Sequence, residues 1–206
     1  MIPTLHHSAA TARIRGAAIG ALITLIFGVL WALWGDLALG GLLGLLLTVG
    51  TVAFAAALIA AAVRLLLVTQ RMRSGTPINP FKAFSYRLAL IFEAIAIPVV
   101  DGDLSKTHHA VYVAPVTAII VGIHFFGLVP AFKTRLYLVI GGAMCALASL
   151  TMFLLPATET VGGAVSPHQF LIWTVVVSLG CAAILWLSAI TRLMHAYQWV
   201  RQAPMK

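Results

Sequence analysis

Residues 84–100 read FSYRLALIFEAIAIPVV, and whether this stretch crosses a membrane decides between five and six transmembrane helices. It is apolar over most of its length but carries Arg87 and Glu93, with Pro98 near its end. A helix that spans the hydrocarbon core needs about 20 mostly apolar residues at ~1.5 Å rise each. Five further runs meet that need: 16–34, 37–63, 110–132, 136–155 and 170–193, the last with Arg192 at its inner end. The longest connection, 64–83, is too short to fold alone, so 1–206 reads as a single membrane domain.

Charge placement settles the count in favour of six. With 84–100 crossing and the amino terminus cytoplasmic, the inner segments hold Arg13, Arg15, Arg64, Arg71, Arg73, Lys82, Arg87, Lys133, Arg135, Arg192, Arg201 and Lys206. Of the 13 basic residues only Lys106 falls outside. Basic residues in short cytoplasmic loops set topology, whereas acids count for little. Asp36, Asp101, Asp103 and Glu159 are all expected on the outer side, which leaves Glu93 as the one acid inside a span. The expected fold is therefore all-α: a polytopic bundle of six transmembrane helices in the plasma (inner) membrane, both termini cytoplasmic.

Composition agrees and excludes alternatives. The chain is 62% apolar and 9% charged, with mean hydropathy +1.05, against roughly 45–50% and about 25% in soluble domains. A chain of this size cannot cover so much apolar surface in water. A soluble enzyme, a disordered tail and a nucleic-acid-binding module are thereby disfavoured. The net charge of +8 is a topology signal rather than the footprint of a polyanion partner. The basic segment 64–83 contains no P-loop and no GxGxxG.

Local chemistry refines the spans. Arg13 and Arg15 before an apolar run resemble a signal peptide, but the run is long and ends in Trp31 and Trp34 rather than at a small-residue cleavage site, so it reads as an uncleaved helix. Trp31, Trp34, Tyr112 and Trp173 are expected near the outer interface, where amphipathic rings settle. The second helix is expected to run to Arg73. Asn79-Pro80 then suits a cap and first position for the third. Small residues four apart, Gly16/Gly20, Gly40/Gly44 and Ala53/Ala57/Ala61, predict close helix packing, within one chain or between copies.

Two titratable residues lie deep in the spans. A carboxylate at a helix centre costs ~2.5–3.5 kcal/mol on insertion scales and marks a functional site by default. Helical steps from Glu93 reach Tyr86, Ala89 and Ala96, a small and polar face. On the fourth span His124 shares its face with Thr117 and Gly127. Each lies roughly 10–12 Å from the cytoplasmic edge at 1.5 Å per residue, so adjacent antiparallel helices would bring them together. Trp186 of the sixth span is expected at similar depth. Glu93, His124, Tyr86, Thr117 and Trp186 are thus the candidates for binding a proton or small solute.

Other constellations carry less. Asp101, Asp103, His108, His109 and His168 form a weak outer-side metal candidate without defined spacing. Cys145 and Cys181, with no CxxC, read as packing residues. No Ser/His/Asp set, HExxH or paired intramembrane carboxylate is present, and His124 has no second histidine to make a haem pair, so no catalytic residue and no cofactor is expected. The leading reading is a small proton-linked transporter or permease built on Glu93 and His124. The alternatives are an accessory or assembly subunit in which that pair is a structural hydrogen bond, and a membrane enzyme or cofactor carrier. Expected partners are the lipid bilayer, a small solute or proton, and a further copy of the chain.

Overall fold

The computed structural model describes residues 3–70, 84–161 and 168–202. Six α-helices make up almost all of it: α1 (Pro3–Leu39), α2 (Gly41–Gln70), α3 (Phe84–Lys106), α4 (Val113–Phe132), α5 (Leu136–Leu154) and α6 (Ile172–Gln202). A single 3-10 turn, Ala110–Tyr112, leads into α4. The extended pieces are β1 (Thr158–Val161) and β2 (His168–Leu171), a short antiparallel hairpin between α5 and α6 with Thr158 opposite Leu171 and Val161 opposite His168. The expected end of α2 at Arg73 and start of α3 at Pro80 lie outside the described residues.

Five helices are long and apolar enough to cross a bilayer, over Gly16–Leu39, Gly41–Val68, Ala110–Phe132, Leu136–Leu154 and Ile172–Arg201. The outer surface fits lipid rather than water. Leu42, Leu43, Leu45 and Leu46 of α2, Leu88, Ile91 and Ile95 of α3, and Val139 and Phe153 of α5 are all exposed. In water such a shell would aggregate; in hydrocarbon it needs no cover. The helical bundle is that of a membrane protein.

α1 and α6 form the central pair, with α2 packed on α1 from one side and α4 and α5 on α6 from the other. Among the described residues α3 packs chiefly on α4, and Ala89 is its one buried residue. Three glycines of α1 make the central contact close. A Cβ at Gly20 would strike the guanidinium of Arg192, one at Gly28 the indole of Trp186, and one at Gly35 the side chains of Leu179 and Ser178. Gly122 of α4 and Gly141 of α5 likewise cross backbone to backbone, each facing the other's carbonyl oxygen. Side chains there would separate the helices and forfeit the dispersion contact that holds helices together in lipid.

Two boundaries differ from the sequence expectation. The first turn was expected at residues 35–36, but α1 continues to Leu39, and the break falls at Gly40 and Gly41 with φ of +66° and +59°. Only glycine adopts this left-handed backbone without strain, so the Gly-Gly pair sets the turn. Gly35 stays helical and Asp36 with it. The second difference is α3, which continues through Pro98 to Lys106, so Asp101 and Asp103 belong to its last turns rather than to a loop.

Candidate functional site

The structure brings Glu93 and His124 together. His124 Nδ1 lies 3.1 Å from Glu93 Oε2 and 2.9 Å from the carbonyl oxygen of Ala89. A carbonyl only accepts, so Nδ1 carries the hydrogen and donates to Ala89, with the Glu93 carboxyl at ion-pair distance from the same nitrogen. Ala89 is one turn before Glu93 on α3, so both partners of the ring come from one helix. The approach is made possible by Gly127, one turn past His124, where a Cβ would stand 2.9 Å from that of Ala89. The Phe125 ring meets the imidazole edge-on at 5.9 Å. The side chains of His124 and Glu93 are 10% and 19% exposed, so the imidazole is enclosed and Glu93 is partly exposed.

The other three candidates stand elsewhere. Tyr86 sets its ring against Phe132 at 6.2 Å, two turns from Glu93. Thr117 is buried, and its hydroxyl lies 2.9 Å from Asp101 Oδ1, 3.1 Å from Asp101 Oδ2 and 2.7 Å from Val113 O. It makes a second clasp between α3 and α4, nearer the other end of the contact. Trp186 turns towards α1 and α2, its ring 5.2 Å from Phe54 and its face against Gly28. A groove of about 390 Å³ between α2 and α6, lined by Leu58, Leu193 and Tyr197 among others, includes neither Glu93 nor His124.

The outer-side metal candidates are not gathered. Asp101 is engaged by Thr117, Asp103 and His108 are exposed, and His109 packs its ring 6.2 Å from Tyr112. His168 begins β2, and its side chain lies outside the described residues. Among the described residues no three His, Cys, Asp or Glu side chains converge. Cys145 donates to Ile119 O at 3.7 Å, and Cys181 is fully buried on α6. At the outer-side aromatics, Trp31 stacks on Trp34 at 5.4 Å. Trp173 meets Tyr112 at 5.1 Å and donates to Leu155 O at 3.0 Å.

Sequence reasoning missed Asp36. Expected in an outer loop, it is 1% exposed, and its Oδ2 accepts from Thr51 of α2 at 2.9 Å. The correction follows from the displaced turn: a helix carried on to Leu39 turns Asp36 inward against α2. The glycine pair was the available signal.

Asp36 also belongs to a wider pattern. Among the described residues, the buried side-chain polar atoms without a protein partner are Asp36 Oδ1, Ser178 Oγ, Trp186 Nε1, and Nε and Nη2 of Arg192. All belong to α1 or α6. Ser178, Trp186 and Arg192 face Gly35, Gly28 and Gly20 in turn, so the central contact carries polar groups over most of its length. Buried polar groups of this kind are costly unless matched.

Comparison with protein-family models, with curated proteins and with solved structures finds no match for this chain.

Proposed function

We propose that this chain is a six-crossing protein of the plasma (inner) membrane, with both termini cytoplasmic, and that it works as a small proton-linked transporter. Glu93 binds the proton and His124 is its partner. The supporting observation is the double engagement of His124 Nδ1, by Glu93 Oε2 at 3.1 Å and by Ala89 O at 2.9 Å. A proton added at Glu93 leaves the imidazole N–H still donating to the Ala89 carbonyl. A proton added at Nε2 would create an ion pair but also an N–H with no acceptor beside it, so Glu93 is the favoured site. Protonation there keeps the His124–Ala89 hydrogen bond between the helices, so the pair takes up and releases one proton without breaking it. Partial exposure of Glu93 provides access.

Six crossings follow from taking α3 as a span. It is 23 residues long, about 34 Å at the α-helical rise, and its outward Leu88, Ile91, Phe92, Ile95 and Val99 present hydrocarbon to lipid. The cost of Glu93 there is offset by His124.

The test is decay of an imposed pH gradient in vesicles containing the purified protein, read by an entrapped pH-sensitive dye. Wild type is expected to dissipate the gradient. Glu93→Gln is expected to abolish this while keeping helical content and elution volume. Absence of any protein-dependent flux, with Glu93→Gln lowering only thermal stability, would remove the transport reading. It would favour the second one, an accessory or assembly subunit. That reading has its own observation: α2 and α3 are largely bare, including Ala53 and Ala57 on α2, as helices that await a further subunit would be.

A further inference from the structure

Among the described residues, Arg192 is the charged side chain with buried donors that no protein group accepts from, save for one terminal nitrogen. It lies on α6 between Gly20 of α1 and Tyr137 at the start of α5. Its Nη1 donates to the Tyr137 hydroxyl at 3.3 Å, and its Cζ stands 4.9 Å from the centre of the same ring. The far side of the guanidinium differs: Nε and Nη2 are buried without a protein partner. Nη1 is the terminal nitrogen on the Cδ side, so Nε and Nη2 form the opposite edge. Their two parallel N–H groups match the two oxygens of a carboxylate or phosphate side-on.

Among the described residues no acid supplies those oxygens, and the sequence holds five acidic side chains in all. Asp36 is engaged by Thr51, Glu93 by His124 and Asp101 by Thr117. Asp103 is exposed at the far end of α3, and Glu159 lies in the hairpin that precedes α6. Arg192 is twenty residues along α6 from that hairpin, about 30 Å at the helical rise. An unpaired buried charge is among the most destabilising features a protein can carry. The cation–π contact with Tyr137 offsets it on one face only.

Position indicates how a partner arrives. Tyr137 follows the α4–α5 turn, whose Lys133 and Arg135 are exposed, so the approach on this side is electropositive and concentrates anions. Gly20 leaves the room for Nη1 that any Cβ would take.

We propose that the Nε–Nη2 edge of Arg192 is the seat of a bidentate oxyanion, a carboxylate or phosphate group entering from the Lys133/Arg135 end. Building on the transport reading above, this oxyanion is the class of solute carried with the proton on Glu93, one proton offsetting one negative charge. The shared chemistry has two sources, a soluble anion or the phosphate of an anionic lipid, and the experiment separates them.

Full-length protein in phosphatidylcholine nanodiscs is titrated with acetate and with inorganic phosphate, using chloride as the control that cannot span the edge. In parallel it is placed in nanodiscs containing phosphatidylglycerol. Unfolding temperature and binding heat are the readouts. Wild type is expected to gain stability with a soluble oxyanion or with the anionic lipid, and not with chloride. R192K keeps the charge but loses the fork and is expected to bind roughly tenfold more weakly. R192Q is expected to lose the effect, and Y137F, which leaves the Nε–Nη2 edge intact, to retain it.

A wild type indifferent to all three oxyanion sources overturns the proposal, as does a shift that survives R192Q. Should R192Q fail to fold, R192K binding as tightly as wild type overturns it equally. E93Q is expected to bind the oxyanion normally. Flux that depends on Glu93 without any oxyanion binding would therefore leave the transport reading standing and this one refuted.

Discussion

Asp36 and Asp101 both lie near helix ends expected on the outer side, each held by one threonine, and their surroundings predict different behaviour. Asp101 is partly exposed, and its two oxygens lie 2.9 and 3.1 Å from the Thr117 hydroxyl. T117V removes that donor but leaves the carboxyl an open side, so it should lower thermal stability by about 0.5–1.5 kcal/mol. A T117V protein as stable as wild type would mean that this clasp contributes nothing. Asp36 is enclosed, with Thr51 on one oxygen and no protein partner on the other. D36N keeps the acceptor for Thr51, so it should unfold closer to wild type than D36A does. D36A leaves the Thr51 hydroxyl without its acceptor and should cost about 1–3 kcal/mol. D36A proving as stable as D36N would mean that the hydrogen bond contributes nothing. In the sequence Glu93 stands out because apolar residues surround it on both sides. Asp36 does not, because nothing local says that Gly35 stays helical while Gly40 turns. The difference lies in tertiary contact: Gly35 is held by Leu179 and Ser178 of α6, more than 140 residues later.

Among the helices, small residues predict close contacts better than they predict which positions make them. Of the sequence pairs, Gly16 has nothing near it, Gly20 receives Arg192, and Gly44 meets the Asp36 carbonyl oxygen. Ala53 and Ala57 face outward, whereas Ala55 and Ala62 are buried. A spacing of four fixes a stripe but not its azimuth, and α2 is apolar all round, so no polar face orients it. The α3–α4 contact is where a glycine bears on the site. Gly127 admits Ala89, and that approach places the Ala89 carbonyl and Glu93 within reach of His124. G127V should force α3 away, destabilise by about 1–3 kcal/mol as overpacking does, and impair gradient dissipation with both titratable residues intact. G16V should leave both unfolding temperature and flux unchanged. Equal effects of the two would deny the Gly127 contact its role. The depth match of Glu93 and His124 was legible because both lie a fixed number of residues from a recognisable boundary. The positions of Trp186 and Thr117 were not, since depth says nothing of which neighbour a helix turns towards.

Across the whole molecule the arrangement is a central α1–α6 pair with the remaining helices laid to either side and α3 at one margin. A helix held chiefly by one neighbour can cross the bilayer or lie along it, and the two placements of α3 predict different topologies. Crossing puts Lys106 and Asp103, at its carboxyl end, on the side opposite Arg64 and Lys133. A helix lying in the interface would put its two ends on the same side and leave the termini on opposite sides. Burial argues for crossing: Glu93 meets His124, whose helix α4 is itself long and apolar enough to span, and the Asp101–Thr117 and Glu93–His124 contacts hold α3 against α4 at two points eight residues apart on α3, about 12 Å at the helical rise. Two such contacts align α3 along α4, which supports the proposed crossing. In a background where Cys145 and Cys181 are replaced, single cysteines at 64 and 106 should therefore label from opposite faces of the membrane with an impermeant thiol reagent. Cysteine at 64 should label with that at 133. If positions 64 and 106 label from the same face, with 133 on the other, α3 does not span, the count falls to five, and the two termini lie on opposite sides.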